Sequence, residues 1–496
     1  MNRVVFTLAT LSALAASADP VKLDSGLISG ADGNAGGVRV YKGIPYAAPP
    51  VGEMRWKPPA APAPWQGVRA ATEFSPVCMQ LPYPETSPYY SPIPNRSEDC
   101  LYLNVWTAAK TASDRRPVMV WVHGGAFTRG SGSTPTYDGE NFAQRGVVLV
   151  TINYRLGVFG FLAHPDLTAQ SPHHSSGNYG LLDQIAALEW VRKNIAAFGG
   201  DPKRVTIFGE SAGSSAVNFL QASPLARGLF HRLIGESGAN FSRGGTLADL
   251  ERGGAKYSLS ELRAKSAEDL LKMEIAARPG VDGWVVPSSV SSIFAQGKQS
   301  DVPVIAGSNA DESRTLQPWS SNQSAFLESV HKRFGPASDE FLKLYPVDSE
   351  ATAADAHYAS TRDQGMGWNM RTWVREQTKT GKSPAFLYYF TRIPPGPLGE
   401  KYRAYHAAEI AYVFGNLSPK RTWEDVDRKL SDTMLQYWVN FASKGDPNGA
   451  GLPAWPRYDS TVDAGIEFGN FTAVKRNINK AALDFFDRLA GGEGSR

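Results

Sequence analysis

The sequence predicts an α/β architecture, a large mostly parallel sheet covered by helices on both faces, and three observations carry that expectation. Short apolar runs recur from Pro117 onward: Val118 to Val122, Val147 to Ile152, Val205 to Phe208, Leu233 to Ile234, Val302 to Ala306 and Ala385 to Phe390. Continuous rather than alternating apolarity is what strands buried on both faces require. Between the second and third runs, Leu181, Ile185, Leu188, Val191 and Ile195 recur at helical spacing, and Gly199-Gly200 follows as a stop. Finally, the run Val205 to Phe208 leads straight into Gly209-Glu210-Ser211-Ala212-Gly213, and the residues after it are again helix-forming. Strands alternating with helices imply a doubly covered parallel sheet.

The flanking elements fit around that frame. Arg3 followed by the apolar stretch Val4 to Ala16 and the small residues Ala16-Ser17-Ala18 has the form of an export signal, so residues 1–18 are expected to be removed and the protein to be secreted or periplasmic. That apolar stretch is shorter than a spanning helix needs, and no later one is longer, so stable membrane insertion is not expected. Val21 to Ser29 and Val38 to Tyr46 alternate apolar and polar residues, as in an antiparallel ribbon. Leu81 to Asn95 carries five prolines with Tyr83, Tyr89 and Tyr90 between them, which excludes a helix or a central strand and predicts a surface loop. It lies between Cys78 and Cys100, the chain's two cysteines. Export would favour their oxidation, the alternative being two separate buried thiols. Thr246 to Met273 and Gln317 to Arg375 read as helical insertions near the top of the sheet, and Trp423 to Ala442 as a final long helix ended by Lys444-Gly445. No internal repeat or flexible linker divides the chain, so residues 19–496 are expected to form one catalytic domain.

The chemistry centres on Ser211. A serine between two glycines at a strand-to-helix turn is the nucleophile arrangement of an α/β-hydrolase: the turn lifts the hydroxyl above the sheet, and the flanking glycines make room for it. The nearest rival, Gly235-Glu236-Ser237-Gly238-Ala239, lacks the second glycine and a following helical pattern, which leaves Ser237 a supporting role. A serine hydroxyl also needs a base and donors for the oxyanion. His123-Gly124-Gly125-Ala126 follows the run Val118 to Val122, where the N–H groups of Gly124 and Gly125, with that of Ala212, would form an oxyanion hole; His123 would orient this loop. The chain order of this fold is serine, acid, histidine. Of the histidines beyond Ser211, His406 alone follows the last buried run after a loop, which makes it the candidate base. The acid comes off the end of Val302 to Ala306, where both Asp311 and Glu312 stand.

With these residues in place the chain resembles the type B carboxylesterases, the family that includes cholinesterases and bacterial p-nitrobenzyl esterases. The resemblance is carried by Lys42-Gly43-Ile44-Pro45-Tyr46-Ala47, Ser97 to Asn104, Gly177 to Gln184, Phe198-Gly199-Gly200-Asp201-Pro202, Phe208 to Gly213 and Gly445-Asp446-Pro447-Asn448, in order along almost the whole chain. It implies that Glu312 rather than Asp311 is the acid, supports His406 as the base, and implies a Cys78–Cys100 disulfide. Insertions are short after Ser237, so the substrate preference of animal relatives does not carry over.

The expected activity is hydrolysis of a small-molecule ester, small to medium and apolar or aryl, through an acyl-enzyme. No metal or organic cofactor is called for. Lipase and amidase chemistry use the same parts, and a non-catalytic adhesion protein on this fold is the reading from another class. A formal charge of +3 without a basic run disfavours a nucleic-acid partner. Nothing in the pattern assigns an oligomeric state.

Overall fold

The apolar runs fold as neighbours. In the computed structural model, which describes residues 20–93, 95–242 and 244–492, an 11-stranded sheet forms the centre. Its strands are β1 (Ala31–Asp32), β2 (Arg39–Pro45), β3 (Tyr102–Thr107), β4 (Arg116–Val122), β5 (Val148–Ile152), β6 (Gly200–Glu210), β7 (Arg232–Glu236), β8 (Val304–Asn309), β9 (Ala385–Phe390), β10 (Ala464–Phe468) and β11 (Thr472–Arg476). Their spatial order is β11-β10-β9-β8-β7-β6-β4-β5-β3-β2-β1. Strands β10 through β5 in that order are mutually parallel. Antiparallel β11 closes one edge and antiparallel β3, β2 and β1 the other.

Both faces are covered, which is why the runs are continuously apolar. Val118, Val120 and Val122 of β4 join Val205, Ile207 and Leu233 in one cluster, with helices α1 (Tyr179–Asn194) and α2 (Ala212–Ala222) packed there. Met119 and Trp121 point the other way, joining Phe208, Ile234 and Ile305 against α4 (Asp425–Lys444), whose Trp438 is fully buried. The predicted stop after α1 is real but divided in its work. Gly199 takes the left-handed conformation, φ 76°, while Gly200 already begins β6.

Three expectations are corrected. Val21–Lys22 pairs with Leu27–Ser29, but the second half of the expected ribbon, β2, joins the large sheet; Val68–Ala70 completes the small one. Alternation alone does not say which partner a strand takes. The region from Gln317 to Arg375 is only partly an insertion. Its last helix, α3 (Trp368–Thr380), packs on β8 and β9, and Trp373 lies so close to Gly235 that a Cβ there would stand 2.3 Å from the ring. The earlier part, with Phe326, Val330, Phe341 and Tyr345, forms a separate apolar cluster with Phe485 and Phe486 of α5 (Lys480–Gly492). The last long helix also starts later than Trp423, at Asp425, because Glu424 and Asp427 form a reciprocal cap there.

Thr246 to Met273 is helical as expected, in short pieces begun by the capping side chains Thr246, Ser258 and Ser266. Cys78 and Cys100 are joined in a buried disulfide. Leu81 to Ile93 contains no helix or strand. No helix among the described residues is long and apolar enough to cross a membrane. The expected export signal lies outside the described residues.

Candidate active site

Strand β6 ends at Glu210 and helix α2 begins at Ala212, so Ser211 is the whole turn. Its φ of 57° and ψ of −120° are strained for a residue with a Cβ, and the surroundings hold it there. Its N–H donates to the Glu236 carbonyl at 2.7 Å, and its own carbonyl accepts from Ser215 N–H at 2.9 Å. The flanking glycines are explained by β4. A Cβ at Gly213 would lie 1.9 Å from the Val122 carbonyl oxygen, and one at Gly209 would lie 2.6 Å from the same atom. The serine turn can dock on the end of β4 only without those side chains, and the docking leaves Ser211 partly open to solvent.

The residues after β4 bring the expected oxyanion donors to the same place. A Cβ on Gly124 would be 3.1 Å from the Ser211 Cβ. Among the described residues, the N–H groups of Gly124, Gly125 and Ala212 have no protein acceptor. The loop is pinned around them. Thr128 and Arg129 N–H donate to the Gly125 carbonyl, Gly157 N–H to the Phe127 carbonyl, and the Tyr154 hydroxyl to the His123 carbonyl. His123 does the orienting work expected of it: it stacks on Tyr154 and its Nδ1 lies 2.9 Å from the Gly124 carbonyl. Burial pushes this imidazole down to about 4, so it stays neutral at physiological pH.

Glu312 and His406 meet beside Glu210, the residue that precedes Ser211. His406 Nδ1 lies 2.5 Å from Glu312 Oε2, with the carboxyl 1% and the histidine 3% exposed. The other oxygen, Glu312 Oε1, accepts from the Asn309 N–H at 2.7 Å and from the Ser237 hydroxyl at 2.6 Å. The rival nucleophile of the sequence is thereby a donor that fixes the acid. Asp311, the rival acid, turns outward to Arg314 and Arg403. On its far side, His406 Nε2 faces Glu210 Oε1 at 3.0 Å, and no hydrogen bond joins His406 to the Ser211 hydroxyl.

Sequence reasoning missed the carboxyls behind the histidine. Glu210 and Glu236 stand side by side because β6 and β7 pair in parallel with Gly209 opposite Gly235 and Glu210 opposite Glu236. The repeated Gly-Glu-Ser at 209–211 and 235–237 was the available signal, and Ser237 has the same φ, 57°, as Ser211. Glu236 accepts from the Trp438 indole at 2.9 Å, and Glu409 accepts from Asn309 Nδ2 at 2.5 Å. Burial raises all three, Glu210 to about 8, Glu409 to about 7 and Glu236 well above its usual range. Burial alone would lower His406, but the Glu210 and Glu312 carboxylates outweigh it and hold the imidazole up at about 9.

The disulfide-closed segment forms one wall. Gln80 clasps the loop that follows β4, accepting from Gly130 N–H and donating to the Gly130 carbonyl, both at 2.8 Å. Tyr89 donates to Thr315 Oγ1 at 2.6 Å and sets its ring edge-on to His406 at 6.2 Å. Phe127 packs on Phe161, whereas Trp319 packs on the separate helical cluster and Trp368 on both that cluster and the main core.

Known proteins resemble the chain over most of its length. The profile of the carboxylesterase family matches residues 17–486. The chain is 38% identical over 483 residues to the fumonisin B1 esterase of Sphingopyxis macrogoltabida, covering 91% of this chain and 87% of that protein. It is 38% identical over 454 residues to the para-nitrobenzyl esterase of Bacillus subtilis (strain 168), covering 85% and 89% respectively. A solved PNB esterase structure superposes with a TM-score of 0.81 at 34% identity, covering 94% of this chain and 99% of that one.

Proposed function

The chain belongs to the carboxylesterase family and is a carboxylic ester hydrolase, and from that premise we propose that it works through an acyl-enzyme on Ser211, with His406 as base and Glu312 as the acid that holds it. The observation that carries this reading is the buried Glu312–His406 contact, set against Glu210 next to a serine held at the apex of a strained turn. The Ser211 oxygen attacks the ester carbonyl while His406 takes its proton. Glu312 fixes the imidazole tautomer in which Nε2 is unprotonated and can accept it. Charge developing on the carbonyl oxygen is met by the free N–H groups of Gly124, Gly125 and Ala212, each worth about 3 kcal/mol in the transition state. His406 then returns the proton to the departing alcohol. Water attacks the acyl group with the same histidine as base, which releases the acid and restores the serine.

The substrate is a small to medium ester with an apolar or aryl portion, since Tyr89 sets its ring against His406 and Tyr83 packs on Tyr89, which supplies flat apolar surface on that side. Residues 19–496 act as one catalytic domain, delivered by an export signal over residues 1–18 to an oxidising compartment, where the Cys78–Cys100 bond persists. One experiment tests the core of this. An organophosphate should label the purified protein once per chain, and Ser211→Ala should abolish both the label and ester hydrolysis. Labelling at another residue, or full activity in the variant, would remove Ser211 from the mechanism.

A further inference from the structure

The histidine that gives its proton to the leaving alcohol must face that alcohol, so the surroundings of His406 are the leaving-group side of the site. Leading away from His406 stand Tyr89, with its ring centroid 6.2 Å from the imidazole, Tyr83, 5.7 Å from Tyr89, and Arg129, whose guanidinium lies 4.9 Å over the Tyr83 ring. Two aromatic faces thus end in a cation. Arg129 is tied to the oxyanion loop by its own N–H, which donates to the Gly125 carbonyl at 3.0 Å. Its Nε donates to the Leu81 carbonyl at 3.1 Å, and this holds the guanidinium plane against Tyr83. The terminal nitrogens of Arg129 and the Tyr83 hydroxyl have no protein acceptor among the described residues, and no carboxylate there pairs with Arg129. Arg314 and Arg403, by contrast, are both paired with Asp311. A partly exposed guanidinium with a free edge is a bidentate receptor for a planar anion.

We propose that Arg129 makes the leaving-group side selective for esters whose alcohol or phenol carries an anionic group, a carboxylate above all. The inference rests on the reading of His406 given above and adds the substrate class. Arg129 stands two rings away from His406, so the carboxylate must stand at the far end of the leaving group. An aryl ring across Tyr89 and Tyr83 provides that reach.

The test compares p-acetoxybenzoate with its neutral isostere p-acetoxybenzamide, which share an acetyl-enzyme and differ only in the leaving group. In Arg129→Gln the ratio of their kcat/KM values should fall about fivefold or more, as expected for loss of a partly exposed charge pair, and Arg129→Lys should recover part of it. The ortho isomer, o-acetoxybenzoate, should gain nothing from Arg129. In the wild-type protein, the product p-hydroxybenzoate should inhibit more strongly than p-hydroxybenzamide, and added salt should shrink the difference. An unchanged ratio in Arg129→Gln, a Lys variant no better than Gln, or equal inhibition by the two products would overturn the proposal. Failure of the wild type to hydrolyse either ester or p-nitrophenyl acetate would instead sink the reading of the Ser211 site beneath it.

Discussion

Glu210→Gln is the most informative perturbation of the site because it removes a charge without removing the shape. In the wild-type protein the imidazole of His406 lies between two carboxyls, 2.5 Å from Glu312 and 3.0 Å from Glu210. An isolated histidine would set the acid limb of kcat/KM near its ordinary value, about 6.5. With both carboxylates charged, His406 rises to about 9. Glu210 is itself raised to about 8 by burial, so the two groups compete for protons and the limb belongs to the pair. The sign is fixed: an added negative charge favours the protonated, inactive imidazole, so the wild-type limb should lie above 6.5. Glutamine at 210 should move it down by about 1 to 3 pH units, the effect of removing one close opposite charge. The assay is the pH profile of kcat/KM for phenyl acetate, read by phenol absorbance and normalised to active sites counted with an organophosphate. A wild-type limb at or below 6.5, or a limb that stays in place or rises in Glu210→Gln, would refute the argument.

The remaining predictions concern support rather than charge. Ser237→Ala removes the 2.6 Å hydrogen bond to Glu312; a bond to a charged group is worth about 1.5–3 kcal/mol, so kcat/KM should fall about tenfold to a hundredfold while organophosphate labelling at Ser211 persists. Loss of labelling would make Ser237 more than a support. Gly213→Ala drives a Cβ to 1.9 Å from the Val122 carbonyl and should cost about 3 kcal/mol or more, seen as a lower Tm together with slow labelling; a wild-type Tm would contradict the docking of the serine turn on β4. Replacing Cys78 and Cys100 together by serine opens a loop with a sequence separation of 22 and should cost about 3 kcal/mol. Denaturant unfolding measures it, and equal midpoints for the double variant and the oxidised protein would show that the bond adds no stability.

The lines of sequence that are legible are those whose signal is local. Continuous apolar runs mark the parallel strands because burial on both faces leaves no polar position, and Gly209 and Gly213 mark the serine turn because β4 admits no side chain there. Local pattern is silent on partner choice, which is why alternation places β2 in the wrong sheet and why α3, a sheet-covering helix, reads as an insertion. Between Asp311 and Glu312 the residues themselves offer no decision, since both leave the same strand end; the family resemblance favours Glu312, and in the fold that side chain turns inward while Asp311 meets two arginines.

Sequence by itself determined the doubly covered sheet, the place of Ser211 on it, and the glycine loop expected to face the oxyanion, because each is written in adjacent residues. Only the tertiary structure decided which groups share a field. Strand pairing in register put Glu210 beside Glu236, and chain return put His406 between Glu210 and Glu312. The physical reason is that a charge interaction depends on distance and burial in space, and neither quantity is recorded in the separation of residues along the chain.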